Sequence, residues 1–438
     1  MATTPETLWE VRRIPNKGYG VVATAPIDPG TRLLMEKPLY TRPMTDDPIK
    51  QQNSIVESLI QNLPDPAQRD AFHALASSFS VLYPDYPYYS IATTNEVALS
   101  GEQDGSSGLF LRWSRFNHAC APSAYWAWHD DHTSAEGKGG VLTVHAIRHL
   151  NPGDEIHISY FENRVMPHDD RERYLAEVYC FACDCALCSL APGPWRDDVD
   201  ERLRQLEAFW RKYHLGESDG PPLSPSSSSS TSSPATAATG ATTTTIAASL
   251  PSDETAEGRE DNGDGADAAV VDVKSLNQRR FLHDPIVCFV ECREAAELIV
   301  EAEEDVGDGA GGEDGDIAGC IDVTFAYEIA LALTLLLGDA ARASVFAARN
   351  RDRYTVTLGA DSASAVRAGL CARNPCADRS FGLGLGGGGG RIPSKVPDVG
   401  EVGEEAFEEW LWSPKDWQLG GAGFAAPGGG RGQGHGDM

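Results

Sequence analysis

Positive charge is scarce in this chain. Against 65 Asp and Glu residues stand 36 Lys and Arg, for a formal net charge of −29 over 438 residues. That shortage argues against a broad basic face for a phosphate backbone. No direct nucleic-acid partner is expected, whereas basic proteins such as lysine-rich tails remain compatible. Long apolar runs are missing too. Residues 1–17 contain no apolar stretch of the secretory kind. The longest apolar segment, about Ile317 to Gly338, is interrupted by Asp322 and Glu328, which makes it a buried helix rather than a membrane span. No membrane association is expected. A dense basic cluster of the nuclear-import kind is absent as well, because Arg279-Arg280 and Arg349-Asn350-Arg351 are too sparse. Nucleus and cytoplasm are both open as locations. The ten cysteines are not spread as a disulfide framework: five fall at Cys120 and within 180–188, a clustering that favours metal ligation.

The length allows two or three domains. From Leu8 to Tyr40 the pattern is short strands and turns. Strands are expected at Trp9-Glu10-Val11, Val21 to Thr24 and Arg32 to Glu36, with a two-glycine turn at Lys17-Gly18-Tyr19-Gly20 and a tight turn at Asp28-Pro29-Gly30. From about residue 44 to 112 the period changes. Ile55, Leu59, Ile60 and Leu63, then Phe72, Leu75, Ala76 and Phe79, fall at helical spacing. This predicts a mainly helical insertion, with a loop near Tyr83 to Tyr89 whose four tyrosines either line a substrate groove or, the favoured reading, serve surface packing. Strands return after Ala124, at Val141 to Val144 and at Ile156 to Tyr160. A short helix with an acidic start, Asp169 to Tyr179, delivers the compact trio Cys183, Cys185 and Cys188. A helix follows within 191–215. Residues 216–272, rich in Pro, Ser, Thr and then Asp, Glu and Gly, are expected to be disordered because they cannot bury enough apolar surface. Helices are expected from Lys274 to Glu304 and, as a pair broken at Gly338-Asp339, from Ile321 to Thr357. The tail 373–438 is glycine-rich and mostly disordered, apart from one short helix at Glu404 to Trp412.

With the motifs in place, the chain resembles the SET-domain protein lysine methyltransferases. The resemblance is to the branch with a long central insertion, post-SET cysteines and a tetratricopeptide-like helical C-terminal region. It is carried by Lys-Gly-Tyr-Gly at 17–20, Asn-His-Ala-Cys-Ala-Pro at 117–122, Gly-Asp-Glu-Ile-His-Ile-Ser-Tyr at 153–160 and the cysteine segment 181–188. It implies an α+β architecture. A β-rich knotted SET domain would span 8–161 with its insertion at about 44–112, and a zinc-binding post-SET segment would span 162–190. A helix at 191–215, the disordered linker 216–272 and an α-helical region at 273–372 would follow. The chain departs from the family at Ala119, where Ser is usual, at Ser123, where Asn is usual, and at Cys180, where glycine is common and which is not counted as a ligand. Residues 41–112 contain no cysteine, so the MYND zinc module is absent.

The resemblance also implies the chemistry. S-adenosylmethionine would be the methyl donor, held by Lys17, Gly18, Tyr19, Gly20, Asn117, His118, Tyr160 and Phe181. Tyr160 would be the catalytic residue, orienting a substrate amine toward the donor sulfur. Cys120 would join Cys183, Cys185 and Cys188 around a structural zinc. The substrate would be a lysine of a histone tail or other basic protein, and the enzyme is taken as a monomer. The alternative is a catalytically idle SET-fold scaffold that binds protein partners through its helical C-terminal region.

Overall fold

A computed structural model of the chain describes residues 8–99, 105–131, 139–161, 166–215, 285–304, 324–383 and 395–417. The linker 216–272 and most of the glycine-rich tail lie outside the described residues, as does the acidic segment at 306–315.

The N-terminal half is a stack of small sheets. β1 (Trp9–Ile14) and β2 (Gly18–Ala23) form an antiparallel hairpin. The turn lies at residues 15–17, one step before the expected Lys17-Gly20 turn, so Gly18 to Gly20 are already strand. β3 (Arg32–Glu36), β8 (Ala124–Asp131) and β9 (Gly139–Ala146) make a three-stranded sheet with β9 in the centre. A pair of two-residue strands, β7 (Asn117–His118) and β10 (His157–Ile158), run parallel and bring two distant motifs into register. The segment before β10 also bonds to β2, through Ala23 N to Asp154 O at 2.9 Å and Ile156 N to Val21 O at 2.8 Å. Residues 153–158 therefore lie between β2 and β7. The core beneath them joins Trp9, Val21, Leu33, Leu142, Val144 and Ile158, inward-facing strand positions, with Phe110 and Phe116 from the segment between β6 and β7.

The insertion is only partly helical. It holds α1 (Ile49–Gln61), α2 (Pro66–His73) and α3 (Pro87–Asn95). It then closes with β5 (Glu96–Leu99) and β6 (Ser106–Leu109), which pair with β4 (Tyr40–Pro43) in the order β4-β6-β5. The expected tyrosine loop is in part the first turn of α3, started by Pro87 at the first helical position.

Two further elements follow the core. α4 (His168–Tyr174) leads through a π-turn at Leu175–Tyr179 into the cysteine segment, which packs on α5 (Pro194–Trp210) through Leu175, Leu187, Val199 and Leu203. The C-terminal region is helical: α6 (Pro285–Glu304), α7 (Thr324–Leu337), α8 (Ala340–Thr357), α9 (Ala363–Arg373) and, in the tail, α10 (Glu404–Leu411). Its core packs Phe289, Ile329, Leu333, Phe346, Leu411 and Trp412. Among the described residues, no helix is long and apolar enough to cross a membrane.

Candidate active site

The four motif segments converge on one cavity of about 680 Å³. Lys17, Gly18, Tyr19, Asn117, His118, Tyr160 and Phe181 all line it. The insertion supplies the opposite wall, with Phe79, Tyr83, Tyr89 and Glu96 among its residues. Tyr83 and Tyr89 meet edge to face at 5.4 Å, so these two of the four insertion tyrosines serve the cavity. Tyr88 packs instead on Phe72 and His73.

Two glycines of the first motif act differently. Gly18 holds φ +80°, a left-handed conformation that favours glycine. Gly20 has no positive φ; space is what demands it. A Cβ there would stand 2.5 Å from Glu155 Oε1, 2.7 Å from Ile14 Cγ1 and 2.8 Å from Asn117 Nδ2. Lys17 Nζ reaches across to Asp184 Oδ1 at 2.7 Å. Burial lowers the Lys17 pKa, but that carboxylate outweighs it and leaves the ammonium raised. The hairpin is thus tied to the cysteine segment.

His118 is the joint between motifs. Its Nδ1 accepts from the Tyr160 backbone N–H at 3.0 Å, and its Nε2 lies 3.3 Å from Cys120 Sγ. Because Nδ1 accepts, the neutral ring carries its proton on Nε2 and donates to the sulfur. Burial, first of all, drives the ring's pKa down to about 3, so it stays neutral. The phenol of Tyr160 donates to Phe116 O at 2.9 Å. Its ring lies 5.1 Å from that of Tyr179 and 6.4 Å from Phe181. Burial and then the Glu155 charge raise the phenol pKa, so Tyr160 remains protonated and is no general base.

Cys120, Cys183, Cys185 and Cys188 bring their sulfurs within 4.8 Å of one another, with Cys120 at 4.0 Å from Cys183 and 3.3 Å from Cys188. A tetrahedral Zn–S length of about 2.3 Å would set sulfurs about 3.8 Å apart, so the set fits such an ion. Mutual hydrogen bonding holds the Cys185 thiol well below its ordinary pKa and pushes Cys120 well above it. Cys180 stands outside the cluster, exposed. At the two family departures, Ala119 is buried and donates its N–H to Ile158 O at 3.1 Å. Ser123 Oγ accepts from His157 N at 2.9 Å, so a hydroxyl braces the turn where the resemblance implied an amide.

Sequence reasoning missed three contributors. Tyr179 donates its hydroxyl to Tyr160 O at 3.0 Å. Asp184 lies between two cysteines and looked like spacer. Glu155 accepts from Asn117 Nδ2 at 2.7 Å, with His157 Nε2 3.2 Å from its other oxygen. Its signal was the alternation of Glu155 and His157 on one side of a strand pattern.

Comparison with known proteins agrees with this geometry. The SET domain family model matches residues 18–161. Histone-lysine N-methyltransferase set5 of Schizosaccharomyces pombe is 31% identical over 210 residues, 47% of this chain and 57% of that protein. Histone-lysine N-methyltransferase SMYD3 of Mus musculus is 30% identical over 122 residues, 25% of this chain and 26% of that one. The matches therefore span 57% of the first relative's length and 26% of the second's. A solved structure described as the SET domain of LSMT bound to lysine and AdoHcy covers 85% of this chain and 94% of its own, at 12% identity and a TM-score of 0.32, a likeness too loose for inference. The matched model and the similar relatives agree with the junction of motifs around His118: residues 18–161 of the chain are similar to the SET domain, and the relatives it resembles are named as histone-lysine N-methyltransferases.

Proposed function

We propose that the chain is an S-adenosylmethionine-dependent protein-lysine N-methyltransferase with a structural zinc. The observation that carries this reading is one cavity whose walls include Lys17 to Tyr19, Asn117-His118, Tyr160 and Phe181. A cofactor with a polar amino acid end and a flat base fits these residues. Gly20 does not line the cavity; it lets Glu155 and Asn117 pack behind the wall, in space that any side chain would take from them. Asn117 offers a side-chain amide, and Phe181 offers an aromatic face. When bound, the cofactor supplies a methyl already activated on a sulfonium.

What remains for the protein is positioning and exclusion of water. Tyr160, locked by its bond to Phe116 O, keeps its phenol proton and presents oxygen lone pairs into the cavity. There it orients an incoming amine. His118 holds the Tyr160 backbone in place. The insertion wall with Tyr83, Tyr89 and Glu96 is where a lysine side chain and its flanking residues would enter. Zinc would sit on Cys120, Cys183, Cys185 and Cys188 and act structurally, since four protein sulfurs leave no open position. The acidic chain favours a basic substrate, and two relatives are named for histone lysines. A histone tail or another lysine-bearing basic protein is the proposed substrate class.

The test pairs calorimetry with transfer of a radiolabelled methyl group. Tyr160→Phe is expected to bind S-adenosylmethionine as the parent does and to transfer methyl at least roughly tenfold more slowly, about 1.4 kcal/mol of barrier. Equal transfer by both proteins rejects the role of Tyr160. Failure of the parent to bind the cofactor rejects the enzyme reading.

A further inference from the structure

Glu155 has no assigned part in the chemistry, yet it lies against the cavity wall with its side chain 15% exposed. Its carboxylate is fully engaged. Oε1 accepts from Asn117 Nδ2 at 2.7 Å, and Oε2 stands 3.2 Å from His157 Nε2. The parallel pairing of Asn117 with His157 fixes this arrangement in the backbone. Burial pushes the Glu155 pKa up, but the hydrogen bonds from His157 and Asn117 and the nearby Lys17 charge outweigh it, and the acid is held below its usual range.

An ionised carboxylate only accepts hydrogen bonds. It therefore decides which way the Asn117 amide faces: the NH2 end is committed to Glu155, and the carbonyl Oδ1 is the end left over. Among the described residues no donor reaches Oδ1. We propose that Glu155 is a positioning residue that forces Asn117 to present an acceptor to the cavity, so that the site selects a ligand bearing an ammonium donor at this point. The inference rests on the proposed cofactor reading and deepens it. The amino group of the amino acid end is what Asn117 Oδ1 takes, and a ligand with an acceptor there is rejected. Gly20 belongs to the same device, because any side chain at that position would strike both Glu155 Oε1 and Asn117 Nδ2.

The test is an exchange of polarity, read by calorimetric affinity for S-adenosylmethionine on the full chain, with metal content and thermal melting recorded for each variant. Asn117→Asp sets two carboxylates face to face and is expected to weaken binding by roughly tenfold or more, the scale of a lost hydrogen bond to a charged group. Adding Glu155→Gln restores a donor beneath the new carboxylate and keeps an acceptor toward the cavity. The double variant N117D/E155Q is expected to regain most of the lost affinity. Glu155→Gln alone is expected to weaken binding while leaving the turnover rate at saturating cofactor close to the parent's. A double variant binding no tighter than Asn117→Asp overturns the inference, as does Glu155→Gln binding as tightly as the parent. If the parent itself binds no S-adenosylmethionine, the underlying enzyme reading falls instead.

Discussion

Cys180 holds φ 62° and ψ 33° at the point where the π-turn of Leu175–Tyr179 ends and the cysteine segment begins. A left-handed residue with a Cβ costs about 1 kcal/mol, and its exposed thiol is no ligand of the cluster. The strain is accepted because the chain must reverse here to place Tyr179 and Phe181 on either side of it against Tyr160. Cys180→Gly is therefore expected to raise stability by up to about 1 kcal/mol, less what glycine gives back in unfolded-state entropy. Cys180→Val is expected to lower it. Denaturant unfolding of the three proteins checks the order, and zinc content should not change among them. The residue's oddity was visible in the sequence as a cysteine where the resemblance implied glycine, but only the backbone angle explains it. Glu155 was harder to read: it sits inside a motif whose terminal tyrosine drew the attention, and its partner Asn117 is 38 positions away.

At the scale of elements, the cysteine segment is held by its sulfurs and by a small apolar core. Leu175, Leu187, Val199 and Leu203 are almost fully buried beneath it. Without a metal, such a short segment has little else to offset its ordering entropy. Cys185→Ser is expected to cut bound zinc from about one ion per chain to near none and to open residues 181–190 to protease, with mass-spectrometric metal analysis and mapping of the cut sites as readouts. A parent protein free of zinc would refute it. Much at this scale was legible beforehand. The cysteine spacing marked the cluster, and Gly338-Asp339 marked the break between α7 and α8, where Gly338 takes φ +74° and Asp339 caps the next helix by accepting from Arg342 N at 3.2 Å. The strands that end the insertion were not legible. Glu96-Val97-Ala98-Leu99 and Ser106-Ser107-Gly108-Leu109 are four residues each, poor in β-branched side chains, and become strands through pairing with β4.

At the scale of the whole molecule, the helical C-terminal region docks on the SET sheet through the end of α8 and the turn after it. Arg32, at the start of β3, donates through Nε to His145 Nε2 at 3.2 Å and pairs with Asp361. His145 is buried, and burial together with the Arg32 charge drives its pKa down to about 4, which keeps the ring neutral and able to accept. Such a contact spans 329 positions and leaves no periodic trace in the sequence, which is why the helices could be anticipated but not their seat. Gly359 is the hinge of this seat. It holds φ +93°, and a Cβ there would lie 2.9 Å from Asp361 Oδ1, 3.0 Å from His145 Nε2 and 3.1 Å from Arg32 Nη2. Gly359→Val therefore meets two penalties at once, a left-handed conformation that a β-branched residue resists and a crowded polar triad that must spread. A cost of about 1–3 kcal/mol is expected from the backbone alone. Because the crowded atoms belong to the docking contact, the loss should fall on the seam rather than on either core: calorimetry should show the helical region melting ahead of the SET domain in the variant, while zinc content stays at the parent's level. A variant that melts as the parent does would mean that the triad does not hold the two regions together.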